Sequence, residues 1–136
     1  MKLSKKITKD FIVKKKNLFN SFLLNSNNKY EFNKIKRFTK FKTVIVIGMG
    51  GSILGSKAIY SFLKNKIKKK FIFIDNLDEI FLKNIKKRHN LSKSLFLVIS
   101  KSGNTNETIV NLSYFKSFIK KTNTIILSER KNNFLY

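Results

Sequence analysis

The 136 residues of this chain are enough for one domain with a buried hydrophobic core. The lack of cysteine excludes a disulfide framework and a thiolate metal site. No stretch reaches the roughly 18 apolar residues of a membrane span, and the basic N-terminus lacks the apolar core of a signal peptide. We therefore predict a cytoplasmic protein without a membrane partner.

The net charge of +23 raises the possibility of nucleic-acid binding. The lysines, however, are spread from end to end, and arginine occurs only at Arg37, Arg88 and Arg130. A protein that grips phosphate groups more often uses the bidentate arginine fork. Together with the many asparagines, isoleucines and phenylalanines, this favours an A/T-rich genome as the source of the charge. A nucleic-acid or acidic-surface role remains the weaker alternative.

Residues 1–42 read as an N-terminal helical extension of the main domain, which we place at residues 43–136. The extension is rich in lysine and asparagine and has only weak apolar patches. We expect a peripheral helix at about residues 4–24, a loop after it, and a helical turn near residues 35–38.

Apolar runs and helical patterns alternate after residue 42. The runs at residues 43–48, 71–75, 95–100 and 124–128 are apolar almost throughout, as in strands buried on both faces. Segments with helical spacing lie between them, at residues 53–66, 78–88 and 106–120. This alternation predicts an α/β fold: a doubly wound parallel sheet in a flavodoxin-like αβα sandwich. We expect this sheet to be truncated after the fourth strand, where a fifth βα unit would normally follow.

The predicted helix at residues 53–66 has one apolar stripe, and Lys57 lies outside this stripe. The stripe consists of Ile53, Leu54, Ala58, Ile59, Phe62 and Leu63.

The first strand ends in the glycine-rich segment "GMGGSILGSK", residues 48–57. It matches neither the dinucleotide-binding fingerprint, because Ile53 stands where the third glycine belongs, nor the P-loop, because Ser56 and Lys57 are in the wrong order. Gly48, Gly50 and Gly51 can still adopt positive φ and bring bare backbone close to a ligand. Ser52 then opens a helix whose free N–H groups attract an anion. The alternative is a tight turn without a ligand.

The third strand ends in a second polar loop, "VISKSGNTNETI", residues 98–109. Ser100, Ser102 and Thr105 bring three hydroxyl groups to a helix N-terminus, a neutral cradle for one phosphate monoester. Asn104 and Glu107 have capping-box spacing, so part of the segment can be capping. Because strands one and three are typically neighbours in such sheets, we expect the two loops to face one another at the carboxyl edge.

The two loops together resemble the phosphosugar-binding SIS (sugar isomerase) domain, in the form found in the glucose-6-phosphate isomerase family. "VIGMGGSILGSKAI" is similar to that family's first-strand signature, and "ISKSGNTNET" to its phosphate loop. The similarity runs from about residue 35 to the end of the chain. It implies a sugar phosphate as ligand, no metal or organic cofactor, and a homodimer for the full-length family.

The resemblance also assigns roles to particular residues. Gly50 and Gly51 would lie against the sugar, and Lys101 would contribute mainly its backbone N–H group. Glu107 would support the loop. The hydroxyl groups that would hold the substrate phosphate belong to Ser52, Ser100, Ser102 and Thr105.

The family's catalytic residues have no counterpart in this sequence. Its general base is a glutamate of a second SIS domain, and the groups that open the sugar ring also come later in the family's chain. Aldose–ketose isomerisation needs a carboxylate at C1/C2 and an acid. Glu107 is better suited to ordering the loop, and His89 reads as a solvated side chain at a helix end. Asp75, at the end of the second strand, is as plausible in a turn as beside a ligand.

The leading hypothesis is the N-terminal, phosphate-binding part of a glucose-6-phosphate isomerase that is inactive by itself. A stand-alone SIS module that senses a sugar phosphate or binds a protein is the first alternative. A basic nucleic-acid-binding protein is the second.

Overall fold

A sheet of four parallel strands organises the computed structural model, which describes residues 35–129 and 132–135. The elements after residue 42 are β1 (Thr43–Gly48), α1 (Gly51–Leu63), β2 (Lys70–Ile74), α2 (Glu79–Arg88), β3 (Ser94–Ile99), α3 (Asn106–Tyr114) and β4 (Thr124–Leu127). Short 3-10 turns at Leu91–Lys93 and Lys116–Phe118 precede β3 and follow α3. Each strand begins and ends within one residue of its predicted position.

The strand order is β2-β1-β3-β4, and every neighbouring pair is parallel. This is the order of the flavodoxin-like doubly wound sheet, in which β1 and β3 are adjacent. The predicted α/β fold with one parallel sheet is therefore confirmed.

Alternate residues of the strands build a core on each face of the sheet. On one face Ile45 and Ile47 of β1 pack with Leu82 and Ile85 of α2 and with Phe115. On the other face Val44 and Val46 pack with Ile53 of α1 and with Phe38 and Phe41. Burial on both sides explains why β1 has no polar residue between Val44 and Ile47.

The N-terminal extension is described only from residue 35 onward. Residues 35–36 are helical and residues 37–40 form a turn, in agreement with the prediction for residues 35–38. The predicted helix at residues 4–24 lies outside the described residues, and the domain boundary at residue 42 stays a prediction. From Phe38 onward the chain forms a compact unit of its own.

The orientation of α1 differs from the predicted apolar stripe. Ile53 is buried, but Leu54, Ile59 and Phe62 are 60%, 63% and 88% exposed. Tyr60, two turns after Ile53, packs instead on the rings of β2. Its ring centroid lies 5.0 Å from that of Phe71 and 5.5 Å from that of Phe73.

The start of α1 gives the physical reason for this difference. The helix begins directly after the turn at Gly50, so the direction in which Ile53 points is fixed by the backbone of that turn. Residues seven apart share a helix face, and Tyr60 therefore follows Ile53 onto the sheet. Lys57, which we expected outside the stripe, lies beside the sheet and forms an ion pair with Asp75.

The third helix ends at Tyr114, earlier than the predicted residue 120. Phe115 leaves helical geometry with φ −100° and ψ 9°, and its N–H group is shared between the carbonyl groups of Leu112 and Ser113. The bend brings the Phe115 ring into the core, 5.9 Å from the ring of Phe96. In the described ranges no helix is both long and apolar enough to cross a bilayer.

Gly48 lies beside Ile99 of β3 without room for a side chain, and this contact can be tested by substitution. A Cβ at residue 48 would lie 2.8 Å from the backbone oxygen of Ile99. Gly48→Ala should therefore lower the free energy of unfolding by about 1–3 kcal/mol, as overpacking does. The measurement is urea denaturation.

Gly55 provides the matched control, because a Cβ there meets nothing within 4 Å and the residue lies inside α1. Gly55→Ala should raise the free energy of unfolding by about 0.5–1 kcal/mol through helix propensity. Equal stability of the Gly48→Ala variant and the unmodified chain would contradict the close approach of the two strands.

His89, the single histidine of the chain, yields a pH prediction. Partial burial lowers its pKa, and the charges of Lys70 and Arg88 lower it further. The unfolded chain therefore binds the proton more readily than the folded chain does. Neutral His89 adds to the free energy of unfolding at neutral pH. This contribution is lost as the pH falls from about 6.5, the pKa in the unfolded chain, through the lower pKa of the folded chain.

NMR titration of the His89 ring should give a pKa below 6.5, and His89→Gln should remove this part of the stability loss between pH 7 and pH 5. A ring pKa at or above the value of a free histidine would refute the prediction.

Candidate functional site

The carboxyl ends of β1, β3 and β4 lie side by side at one edge of the sheet. Gly48 of β1 is the register partner of Ile99 of β3, and Ile99 is the partner of Leu127 of β4. The segments that follow these residues therefore start next to one another. This confirms the expectation that the loops after the first and third strands share one edge.

The glycine loop after β1 positions the N-terminus of α1. Gly50 adopts φ 50° and ψ −128°, a backbone conformation that glycine reaches without steric cost, and it is the N-cap residue of α1. Among the described residues no side chain caps this helix end, and its first turn has no acidic residue. The Ser52 N–H group already donates to the Met49 carbonyl oxygen at 3.0 Å and the Ile53 N–H group to that of Gly50 at 3.2 Å. What this helix end offers an anion is therefore mainly the positive end of its dipole.

The turn after β3 gathers the three predicted hydroxyl groups. Ser100 Oγ accepts a hydrogen bond from the Gly103 N–H group and lies 3.2 Å from Thr105 Oγ1. Ser102 Oγ accepts from the Asn104 N–H group at 3.2 Å. Ser100 is 1% exposed and Ser102 is exposed. Ser100 therefore stabilises the turn from inside, while Ser102 faces the solvent side.

The capping box predicted from Asn104 and Glu107 is wrong. The N-cap residue of α3 is Thr105, and the side-chain oxygen of Asn104 instead accepts the backbone N–H of Phe134 at 2.9 Å. A contact with a residue 30 positions later thus replaces the local one. Glu107 lies in the first turn of α3, where a negative charge suits the helix dipole.

A cleft of about 650 Å³ opens at this edge of the sheet. Its volume falls within the range of small-molecule sites. Gly51, Ser52 and Lys101 were predicted as site residues and line it, whereas Ser100, Ser102 and Thr105 belong to the adjoining turn. The full lining consists of Gly51, Ser52, Ile99, Lys101, Leu127, Ser128 and Glu129.

Ser128 and Glu129 are the lining residues that sequence reasoning missed. They follow β4 directly, and the Glu129 N–H group donates to the Lys101 carbonyl oxygen at 3.0 Å, which continues the pairing of β3 and β4. The signal was present in the sequence: residues after a parallel strand lie at the ligand-binding edge, and this rule applies to β4 as it does to β1 and β3.

Asn133, in the segment after β4, packs against the turn after β3 and the residues next to it. Asn133 Nδ2 donates to Ser128 Oγ at 3.2 Å and to the Glu129 carbonyl oxygen at 3.1 Å. Gly103 has φ 68°, and a Cβ built on it would lie 2.0 Å from Asn133 Oδ1. The Asn133 side chain therefore occupies the space that a side chain at residue 103 would need.

The other ionisable candidates lie outside this site. Asp75 pairs with Lys57, and Asp78 caps α2 by accepting the Phe81 N–H group at 2.9 Å. His89 follows the last residue of α2, close to the first residue of β2 and so at the opposite edge of the sheet. In residues 35–129 and 132–135 no three histidine or acidic side chains come together as metal ligands would.

The effect of packing Asn133 against Gly103 on the free energy of unfolding can be measured. Gly103→Ala should lower the free energy of unfolding by about 1–3 kcal/mol, because it adds strain at positive φ and a clash. In the Asn133→Ala background the same substitution should cost less, since the clash is gone. Strict additivity in this double-mutant cycle would contradict the contact.

Comparison with known proteins matches the chain to glucose-6-phosphate isomerases. The enzyme of Methanocaldococcus jannaschii is 44% identical over 91 residues, which are 67% of this chain and 22% of that protein. The enzyme of Treponema denticola is 40% identical over 112 residues, 74% of this chain and 21% of that protein. The chain thus spans about a fifth of the length of these relatives.

Solved structures agree in fold. A glucose-6-phosphate isomerase from Chlamydia trachomatis superposes with a TM-score of 0.65 at 29% identity, over 77% of this chain and 22% of that one. A hypothetical protein from Thermus thermophilus shares the fold with a TM-score of 0.69 at 22% identity, over 80% of this chain and 29% of that one. The family model described as phosphoglucose isomerase matches residues 24–131. The chain belongs to the phosphoglucose isomerase family.

Proposed function

We propose that this chain supplies the phosphate-binding part of a glucose-6-phosphate isomerase, which interconverts glucose 6-phosphate and fructose 6-phosphate. Family membership supports the substrate class. Because the chain spans about a fifth of its relatives, the activity belongs to a longer assembly than the residues described above.

One structural contrast carries the proposal. In the described residues, α2 has a side-chain cap from Asp78, but α1 and α3 have no side-chain cap at their N-termini. The two helices without a cap are those that begin after the neighbouring strands β1 and β3. A dianionic phosphate group would interact favourably with the positive ends of both helix dipoles at once.

The family resemblance implies the expected roles of the site residues. Ser52, Ser102 and Thr105 donate their hydroxyl hydrogens to phosphate oxygens, and Ser100 contributes by holding the turn. Lys101 offers its backbone N–H group, and Gly50 and Gly51 lie against the sugar. Glu107 supports the loop from the first turn of α3. The family resemblance requires neither a metal nor an organic cofactor in this arrangement.

Proton transfer needs groups beyond the proposed phosphate site. Isomerisation through a cis-enediol requires a carboxylate at C1/C2 and an acid that opens the ring. Within the described part of the chain, His89 and Glu107 do not form such a pair, since His89 lies at the other edge of the sheet. We infer that the isolated chain binds the phosphate end weakly and produces no turnover.

Several other expectations stay predictions. These are a cytoplasmic location, a homodimer for full-length family members, and the absence of a nucleic-acid partner. The stand-alone sugar-phosphate sensor remains the alternative function, because it would use the same loops without the missing catalytic groups.

Titration of the ¹⁵N-labelled chain with glucose 6-phosphate tests the proposal. The amide signals of residues 50–52 and 100–105 should shift, and Ser102→Ala should weaken binding about tenfold, the usual loss for a hydrogen bond to a charged group. Ser113→Ala is the matched control, because Ser113 is an exposed serine near the far end of α3. That variant should bind as the unmodified chain does.

Two results would contradict the proposal. Amide shifts confined to lysine-rich surfaces, with strong salt dependence and no effect of Ser102→Ala, would favour the nucleic-acid alternative. Conversion of glucose 6-phosphate by the purified chain in a coupled assay would refute the inference that it is inactive by itself.

A further inference from the structure

We propose that Glu129 determines specificity for the sugar by accepting hydrogen bonds from hydroxyl groups of the bound hexose phosphate. The inference rests on the proposed function and deepens it. It concerns the part of the cleft next to the phosphate turn, where β4 contributes to the lining.

The position of Glu129 is fixed by the backbone. Its N–H group donates to the Lys101 carbonyl oxygen at 3.0 Å, and its own carbonyl oxygen accepts from Asn133 Nδ2 at 3.1 Å. Ser100 N–H likewise donates to the Leu127 carbonyl oxygen at 3.0 Å, so the chain runs alongside β3 up to the cleft. A side chain on such a firmly held backbone can select between ligands.

Glu129 lines the cleft, as do its chain neighbours Leu127 and Ser128. Leu127 and Glu129 are two residues apart on a strand-like segment and share a face, as do Ile99 and Lys101 on the neighbouring segment. All four residues line the cleft together with Ser52 at the start of α1. Glu129 therefore faces the same space as the N-terminus of α1, across the cleft floor formed by Ile99 and Leu127.

The charge of Glu129 indicates which part of a ligand it would meet. An ionised carboxylate only accepts hydrogen bonds and repels a phosphate group, so it does not suit the phosphate end. Sugar hydroxyl groups are donors and fit it. Lys101 Nζ lies 3.9 Å from Glu129 Oε1 and brings a positive charge to this half of the cleft.

The cleft also has room beyond one phosphate group. Its volume of about 650 Å³ matches a site for a whole small molecule. A phosphate bound at the turn after β3 and the two uncapped helix ends would leave the part of the lining formed by Leu127, Ser128 and Glu129 for the rest of the ligand. The sugar ring would occupy this part.

Comparison of two ligands separates sugar recognition from phosphate recognition. The ¹⁵N-labelled chain is titrated with glucose 6-phosphate and, separately, with inorganic phosphate. Glu129→Ala should weaken glucose 6-phosphate binding about tenfold, the loss expected for hydrogen bonds to a charged acceptor. Inorganic phosphate should bind equally well or slightly more tightly, because a negative charge has been removed. Glu129→Gln, which keeps an acceptor oxygen, should lose less than Glu129→Ala.

Glu79→Gln is the matched control, since Glu79 is an exposed glutamate on α2 that pairs with Lys83 and does not line the cleft. It should leave the binding of both ligands unchanged. Ser102→Ala, by contrast, should weaken both ligands, because it acts on the phosphate.

Three other outcomes would overturn the inference, and the two ligands distinguish them. Equal losses for both ligands in Glu129→Ala would mean that the substitution disturbs the phosphate turn and that sugar recognition lies elsewhere. Unchanged affinity for glucose 6-phosphate would exclude Glu129 as a contact while leaving the phosphate site intact. If neither ligand shifts the amides of residues 100–105 in the unmodified chain, the proposed function fails and the role of Glu129 fails with it.

Discussion

The close approach of β1 and β3 is the constraint on which the rest of the site depends. At Gly48 the two backbones come so near that even one methyl group has no room beside the carbonyl oxygen of Ile99. This contact holds the glycine loop and the hydroxyl-bearing turn at neighbouring positions of the same edge. The starts of α1 and α3 follow directly from those loops.

Binding at this edge would depend on neutral donors and helix dipoles, although the chain carries a net charge of +23. Among the described residues, the lysine that lines the cleft, Lys101, is paired with Glu129, and Lys57 at α1 is paired with Asp75. Fixed backbone donors keep their geometry when salt screens the lysines, since screening mainly weakens exposed charges. Under the proposed function, a phosphoryl group would thus be recognised by fixed donors and not by the exposed lysines.

The strands and the two loops could be predicted from the sequence because their signals are local. The run from Val44 to Ile47 is apolar for burial on both faces, and the glycines and hydroxyl residues stand directly after such runs. The prediction failed where the backbone angles of a turn or a distant contact decide. The rotation of α1 depends on the backbone at Gly50, and the role of Asn104 depends on Phe134, which lies 30 residues later. Glu129 was missed although it follows β4 directly, because the rule for residues after parallel strands was applied only to β1 and β3.

The contact of Asn133 with the turn after β3 has a consequence for the order in which the protein folds. The residues of that turn are close together in sequence, yet the side chain that fills the space beside Gly103 comes from near the end of the chain. During synthesis the turn therefore stays incomplete until β4 and the residues after it have left the ribosome. Long-range contacts of this kind delay the final ordering of a region, so this edge should be among the last parts of the sheet to become ordered.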